Sequence, residues 1–187
     1  MKADIRRKLS MTARALDFST ANPSDQASIK TVVTRLETLV NRADELSVQQ
    51  RSGAVDEQLA IAQRAVVRRA MRRDQMNQLL RLANSVKKSH PELKGLFRLP
   101  RYGATNRDFL IAAQDMLVKV IAQKPLLDTL GLGETLVDDL TRVVAAYTTA
   151  TEGAHAGRSS HVGASSELEE VVNDGVADRI HAARSLG

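Results

Sequence analysis

Apolar residues recur along most of this chain at steps of three and four, a spacing that predicts one helix after another and no strand. Ile5, Leu9, Thr12 and Leu16 mark one face of a short helix over residues 5–18, with Arg6, Arg7, Lys8 and Arg14 largely around it. Asn22 and Pro23 then read as the N-cap and first residue of a second helix. That helix, to about residue 50, carries Ile29, Val32, Leu36, Leu39, Ala43 and Leu46, a heptad seam widened by Val33 and Val40. Ser52-Gly53 can end it in a tight reversal, the alternative being a helix that continues through Gly53 at a cost of ~1 kcal/mol relative to alanine. A long helix over residues 54–89 follows, ~50 Å at ~1.5 Å per residue. Its stripe runs through Leu59, Ala62, Val66, Met76, Leu80 and Ala83, and Pro91 closes it.

Residues 92–104 are irregular yet rich in Leu93, Leu96, Phe97, Leu99 and Tyr102, so the segment is expected to dock rather than wave in solvent. Thr105 and Asp108 form a weaker capping box at the head of a helix that buries Phe109, Ala113, Met116, Leu117, Val120 and Ile121. Pro125 breaks or kinks this helix, and Gly131 and Gly133 mark the next turn. From residue 134 a single seam runs through Leu136, Leu140, Val143, Tyr147, Ala150, Ala154, Gly157, His161, Ala164, Leu168 and Val171. The glycines, with a capping box at Ser166 and Glu169, argue for a break near Gly163 rather than one helix to about Ala183. The fold expected is all-α, an antiparallel bundle of five or six helices with long central members, forming one domain over residues 1–187. Leu36 and Leu140 sit mid-seam and are expected in the core.

The stretch 104–110, Ala-Thr-Asn-Arg-Asp-Phe-Leu, and the later His161-Val162-Gly163-Ala164-Ser165 resemble a group of uncharacterised all-helical bacterial proteins. In that group similar stretches sit at similar places, with Thr where this chain has Ser165. The resemblance covers roughly residues 100–185. It implies a helical fold and a bacterial, cytoplasmic source, and no activity.

Composition narrows the chemistry. The 187 residues are 43% hydrophobic but only 3% aromatic, so the core is aliphatic. Cysteine is absent, which removes disulfides, thiolate metal sites and thiol catalysis, and fits a reducing compartment. No apolar stretch follows the basic N-terminal residues and no run approaches ~18 apolar residues, so neither a signal peptide nor a membrane span is expected. The net charge of +5 is uneven: residues 1–101 hold 20 Lys/Arg against 10 Asp/Glu, and residues 102–187 hold 7 against 12. The basic half therefore meets a polyanion, or the two halves face each other within the fold or across an oligomer.

The densest charge is Arg64, Arg68, Arg69, Arg72 and Arg73. Arginine forks match phosphate oxygens, so these five are the candidate contacts for an anion or a partner; the plainer reading of the same cluster is a solvated or ion-paired helix face. Carrying the stripe from Leu59 and Val66 on to Leu80 and Ala83 places Arg69 and Arg73 near its centre, and Arg68 and Arg72 at its edge. Buried guanidinium groups need partners. Arg69 and Arg73 are then expected to meet carboxylates of another helix or subunit, or to line a groove that admits an anion. No aromatic residue neighbours them in sequence, which argues against binding of a single nucleic-acid strand.

Other constellations are weaker. Glu152 and His155 have the Glu-x-x-His spacing of di-iron bundles, but only one copy occurs, and His161 lies off its face. Gly131 to Glu134 resembles half of a phosphate loop without its strand or its lysine. The serines beside His161 form no nucleophile–base–acid set. No catalytic residue, metal or cofactor is therefore expected. The leading expectation is a non-enzymatic helical scaffold or protein-interaction module, homo-oligomeric or with a protein partner. The alternative is a nucleic-acid-associated protein that uses the arginines at 64–73.

Overall fold

The computed structural model describes residues 2–131 and 135–185, the stretch 178–185 by its backbone alone. All regular structure is helical, with no strand among the described residues. Helix α1 spans Ala3–Ala21 and α2 spans Ala27–Ala70. A π-helical turn, Met71–Met76, carries α2 into α3, Asn77–Val86. A short 3-10 turn at Pro91–Leu93 precedes α4, Asn106–Ala122, and α5, Lys124–Thr129. Helix α6 runs over Leu136–Ser185. None of these is long and apolar enough to cross a membrane.

The chain divides into two compact units, Met1–Glu57 with Ala156–Gly187, and Gln58–His155. In the first, the expected seams supply most of the buried faces, though at the end of the α6 seam Val172 is buried and the expected Val171 only half-buried. Ile5 and Thr12 of α1 are buried, and so are Leu36, Ala43 and Leu46 of α2 and Ala164, Leu168 and Val172 of α6. Gln50 reaches Ser165 and Arg42 reaches Glu167, while Leu39 lies beside Gly175, so contacts climb α6 as they descend α2. Along α1 they climb together, from Lys2 on Glu169 to Lys8 on Asn173 and Thr12 beside Gly175. Leu36 is 3% exposed among half-buried neighbours. Leu36→Ala is expected to lower the unfolding free energy by about 2 kcal/mol in a urea melt, the small end of the range for such a truncation. A loss below about 1 kcal/mol would place that seam in solvent.

Three expected boundaries fall elsewhere. Asn22 does not open α2. It closes α1, where its backbone N–H and side-chain amide both donate to the Phe18 carbonyl at 3.0 Å, and α2 begins only at Ala27. The carbonyls of a finished helix also need donors, and Asn22 supplies two. Helix α2 does not reverse at Gly53, nor does α6 break at Gly163; both helices pass through. Gly53 and Gly157 face each other so closely that a Cβ on Gly157 would lie 2.6 Å from the Glu57 backbone nitrogen. Glycine there serves helix contact, not chain reversal. Gly163 has nothing within 4 Å of a Cβ position and simply lies on an outer face.

In the second unit, Phe109, Ala113, Met116 and Val120 of α4 are buried as their spacing predicts, while Ile121 turns outward at 53% exposure. They pack with Met71, Met76, Leu79 and Ala83, and with Leu136, Leu140 and Tyr147 of α6. Thr105 caps α4: its hydroxyl oxygen accepts from the Asp108 N–H at 3.1 Å and its O–H donates to the Asp108 carboxylate at 2.8 Å. The segment before it is docked, with Leu93 and Phe97 buried and Leu96 and Leu99 packed on the same core. Tyr102 is the exception and stands almost wholly in solvent. Gly131 takes a left-handed φ of 78°, as a turn residue should. The remainder of the expected 131–134 turn, including Gly133 and Glu134, lies outside the described residues, as do the side chains of His181 and Ala183.

A candidate anion-binding face

The arginine cluster sits where α2 becomes a π turn. Buried and half-buried positions on this helical run step through 53, 57, 60, 64, 67 and 71, and then jump five to 76 before resuming at 79 and 83. The widened turn supplies that jump. The Asn77 N–H bonds back five residues to the Arg72 carbonyl, not four, which rotates the inward face by about one residue. Stepping backward from Ala83, Leu80 and Met76 in threes and fours lands instead on 73, 69, 66, 62 and 59. Those positions are the outside of the helix: Leu59 is 58% exposed and Val66 65%. The expectation that Arg69 and Arg73 lie in the seam is therefore overturned. Both are exposed, while Arg64, Arg68 and Arg72 are half-buried.

The five arginines accordingly do different things. Arg68 donates to the Ala104 carbonyl and, at 2.9 Å, to the Asn106 side-chain oxygen. Its guanidinium carbon lies 4.6 Å from the centre of the Phe109 ring. Asn106 Oδ1 also accepts from the buried Tyr147 hydroxyl at 3.1 Å, and the Tyr147 and Phe109 rings are 5.3 Å apart and tilted by 55°. Arg68 is thus a structural tie between α2 and the head of α4. Arg72 donates to the Pro100 carbonyl at 2.8 Å and lies 5.8 Å from the Tyr102 ring centre. The carbonyls that hold Arg68 and Arg72 lie 36 and 28 residues away. No local pattern announces them.

Arg73 pairs with its own neighbour, donating twice to Asp74 at 2.6 and 3.0 Å. The expected carboxylate from another helix is not its partner. Those bonds hold the Asp74 carboxyl below its ordinary range. The Arg73 side chain is 74% exposed, so the pair is solvent-screened and weak, and an incoming anion can exchange for it. Arg69 makes no hydrogen bond or ion pair with any described residue. Arg64 makes none either. The same π turn leaves Gln75 Oε1 buried without a hydrogen-bond partner among the described residues.

Arg68, Arg69, Arg72, Arg73, Asn77 and Tyr102 line one shallow, open depression. Two of its guanidiniums, Arg68 and Arg72, are tethered to backbone carbonyls, Arg69 is unpaired, Arg73 is held only by the exposed Asp74, and Tyr102 adds an aromatic ring. Such a surface can hold a phosphate or carboxylate by charge-assisted hydrogen bonds. Tyr102 is the residue that sequence reasoning missed, because it lies 30 residues from Arg72 along the chain.

The other candidates stay apart. Glu152 and His155 are both exposed, and no three His, Asp or Glu side chains converge as metal ligands among the described residues. His161 Nδ1 bonds to the Gln50 carbonyl at 3.1 Å, a contact between helices. The chain matches no protein-family model, no curated protein and no solved structure.

Proposed function

We propose that this protein is a non-enzymatic helical scaffold, an antiparallel bundle, that binds the phosphate backbone of a nucleic acid through the face centred on Arg69 and Arg73. One observation carries the reading. Residues 64–107 hold 12 Lys/Arg and only 2 Asp/Glu, a net +10 within 44 residues. Both carboxylates are engaged locally, Asp74 by Arg73 and Glu92 by His90. The positive field of that segment is unopposed from within, and such a field draws and holds polyanions. The opposing contacts of α2 and α6 support the antiparallel arrangement. A cysteine-free chain suits a cytoplasmic role.

The test is a fluorescent oligonucleotide titrated with the full chain. Affinity should fall by about seven-fold or more between about 50 and about 200 mM salt, as release of counterions at two or more phosphates requires. Failure to bind at the lower salt would refute the reading.

A second reading, a protein-interaction surface or self-association, has its own observation. Leu59 and Val66 stand exposed with Ala62 on the side of the helix that leads to Arg69 and Arg73. Large apolar side chains exposed along one helical stripe favour a protein contact. Light scattering across a concentration series checks it: a single monomer mass throughout would remove self-association.

A further inference from the structure

We infer that the nucleic acid this face takes is a single strand, one of whose bases stacks on Tyr102 while Arg69 and Arg73 hold its phosphates. The inference rests on the polyanion reading above and names the form of the ligand.

Tyr102 is 94% exposed, and its ring has no packing role in the core. The backbone that carries it is tied beside the arginines. Gly103 turns the chain beside it with φ +99°, a conformation that suits glycine. Arg72 approaches the ring at 5.8 Å while tied to the Pro100 carbonyl at 2.8 Å, so the ring and the guanidinium are fixed to one short stretch of backbone. A phenol ring left in water beside arginines is a stacking platform, because every base has a π face and guanidinium planes add to the stack. Duplex bases are already stacked on one another and offer no such face. An acidic peptide would use the arginines but gains nothing from the ring. The combination of the unpaired Arg69, the exchangeable Arg73 and an unburied ring therefore selects unpaired bases on a phosphate chain. The absence of an aromatic residue near the cluster in sequence is repaired by the fold.

The experiment compares four probes by fluorescence anisotropy with the full chain at one low salt concentration: single-stranded DNA, single-stranded RNA, duplex DNA of the same length, and polyglutamate. Either single strand should bind more tightly than the duplex, and the two single-strand arms tell DNA from RNA. Tyr102→Ala should weaken single-strand binding by about ten-fold or more and leave duplex binding within about two-fold, in line with the usual effect of removing one stacking ring. Tyr102→Phe should keep the affinity. A second readout is intrinsic: the chain has two tyrosines and no tryptophan, and Tyr147 is fully buried. Tyrosine emission should be quenched by a single strand, and Tyr102→Phe should abolish the quench while binding persists. Equal binding of duplex and single strand, or indifference of both to Tyr102→Ala, overturns the inference and leaves the polyanion reading standing. Preference for polyglutamate points to an acidic protein partner and overturns both, as does failure to bind any probe.

Discussion

Replacing Phe109 with alanine is expected to lower the unfolding free energy by about 3–5 kcal/mol, the usual range for deleting a fully buried aromatic ring. The ring is completely buried on α4, one turn inside the Thr105 cap. It touches three things at once: the aliphatic core around Met71 and Leu140, the Tyr147 ring at 5.3 Å, and the Arg68 guanidinium at 4.6 Å. Alanine would leave a cavity and also uncover the polar tie above it, where Arg68 and Tyr147 share Asn106 Oδ1. Urea melts of the two proteins measure the difference. Phe109→Leu should recover much of the loss, because it refills most of the volume without the ring contacts. A loss under about 1.5 kcal/mol for Phe109→Ala would mean that the ring is not where the core closes. Because the tie positions the chain from Ala104 to Asn106, the alanine variant should also bind oligonucleotide less tightly at temperatures where it remains folded.

Gly157→Leu is expected to cost about 3 kcal/mol or more, and Gly163→Ala to stabilise by about 0.5–1 kcal/mol. Both glycines are interior to α6, so helix propensity alone would reward either change. Space decides otherwise at Gly157. A Cβ there would lie 2.6 Å from the Glu57 nitrogen and 2.9 Å from the Gly53 carbonyl oxygen, so backbone meets backbone. Neither can yield as a flexible side-chain tip could, and α2 and α6 must part. Their parting would also weaken the bonds on either side, from Gln50 to Ser165 and from His161 to the Gln50 carbonyl. At Gly163 a Cβ meets nothing, and only the gain from a stiffer unfolded chain remains. Thermal melts of both variants in one buffer give the comparison. A stabilised Gly157→Leu would show that the two helices do not approach there.

That pair also shows what could be read from the chain and what could not. Buried seams at Leu36–Ala43–Leu46, Phe109–Ala113–Met116–Val120 and Leu136–Leu140–Tyr147 were legible, because burial imposes its period wherever a helix is regular. The Thr105 cap was legible for a similarly local reason. Gly53 and Gly163 were misread because a glycine within a helix has the same letter whether it ends the helix, admits a neighbour or faces water. Only its surroundings distinguish the three. The inward face from residue 59 to 69 was misread for a subtler reason: one π turn resets the phase, and a phase carried across it points the wrong way. The arginines were visible as a cluster, but their roles were not. Pro100, Ala104 and Asn106 tether Arg72 and Arg68, Asp74 holds Arg73, and Arg69 is left unpaired; the tethers reach the helix only through the folded segment between α3 and α4 and the first residue of α4.

Of all the measurements open here, the salt dependence of oligonucleotide binding by the wild type and by the double variant Arg69→Ala/Arg73→Ala is the most direct. Both side chains are exposed and neither takes part in the Phe109 core, so the variant should melt like the wild type. If they hold phosphates, the slope of log K against log salt should shrink in magnitude by about 1.4 for a single strand, roughly 0.7 for each contact removed. An unchanged slope with unchanged affinity would contradict the assignment of this face as the binding surface.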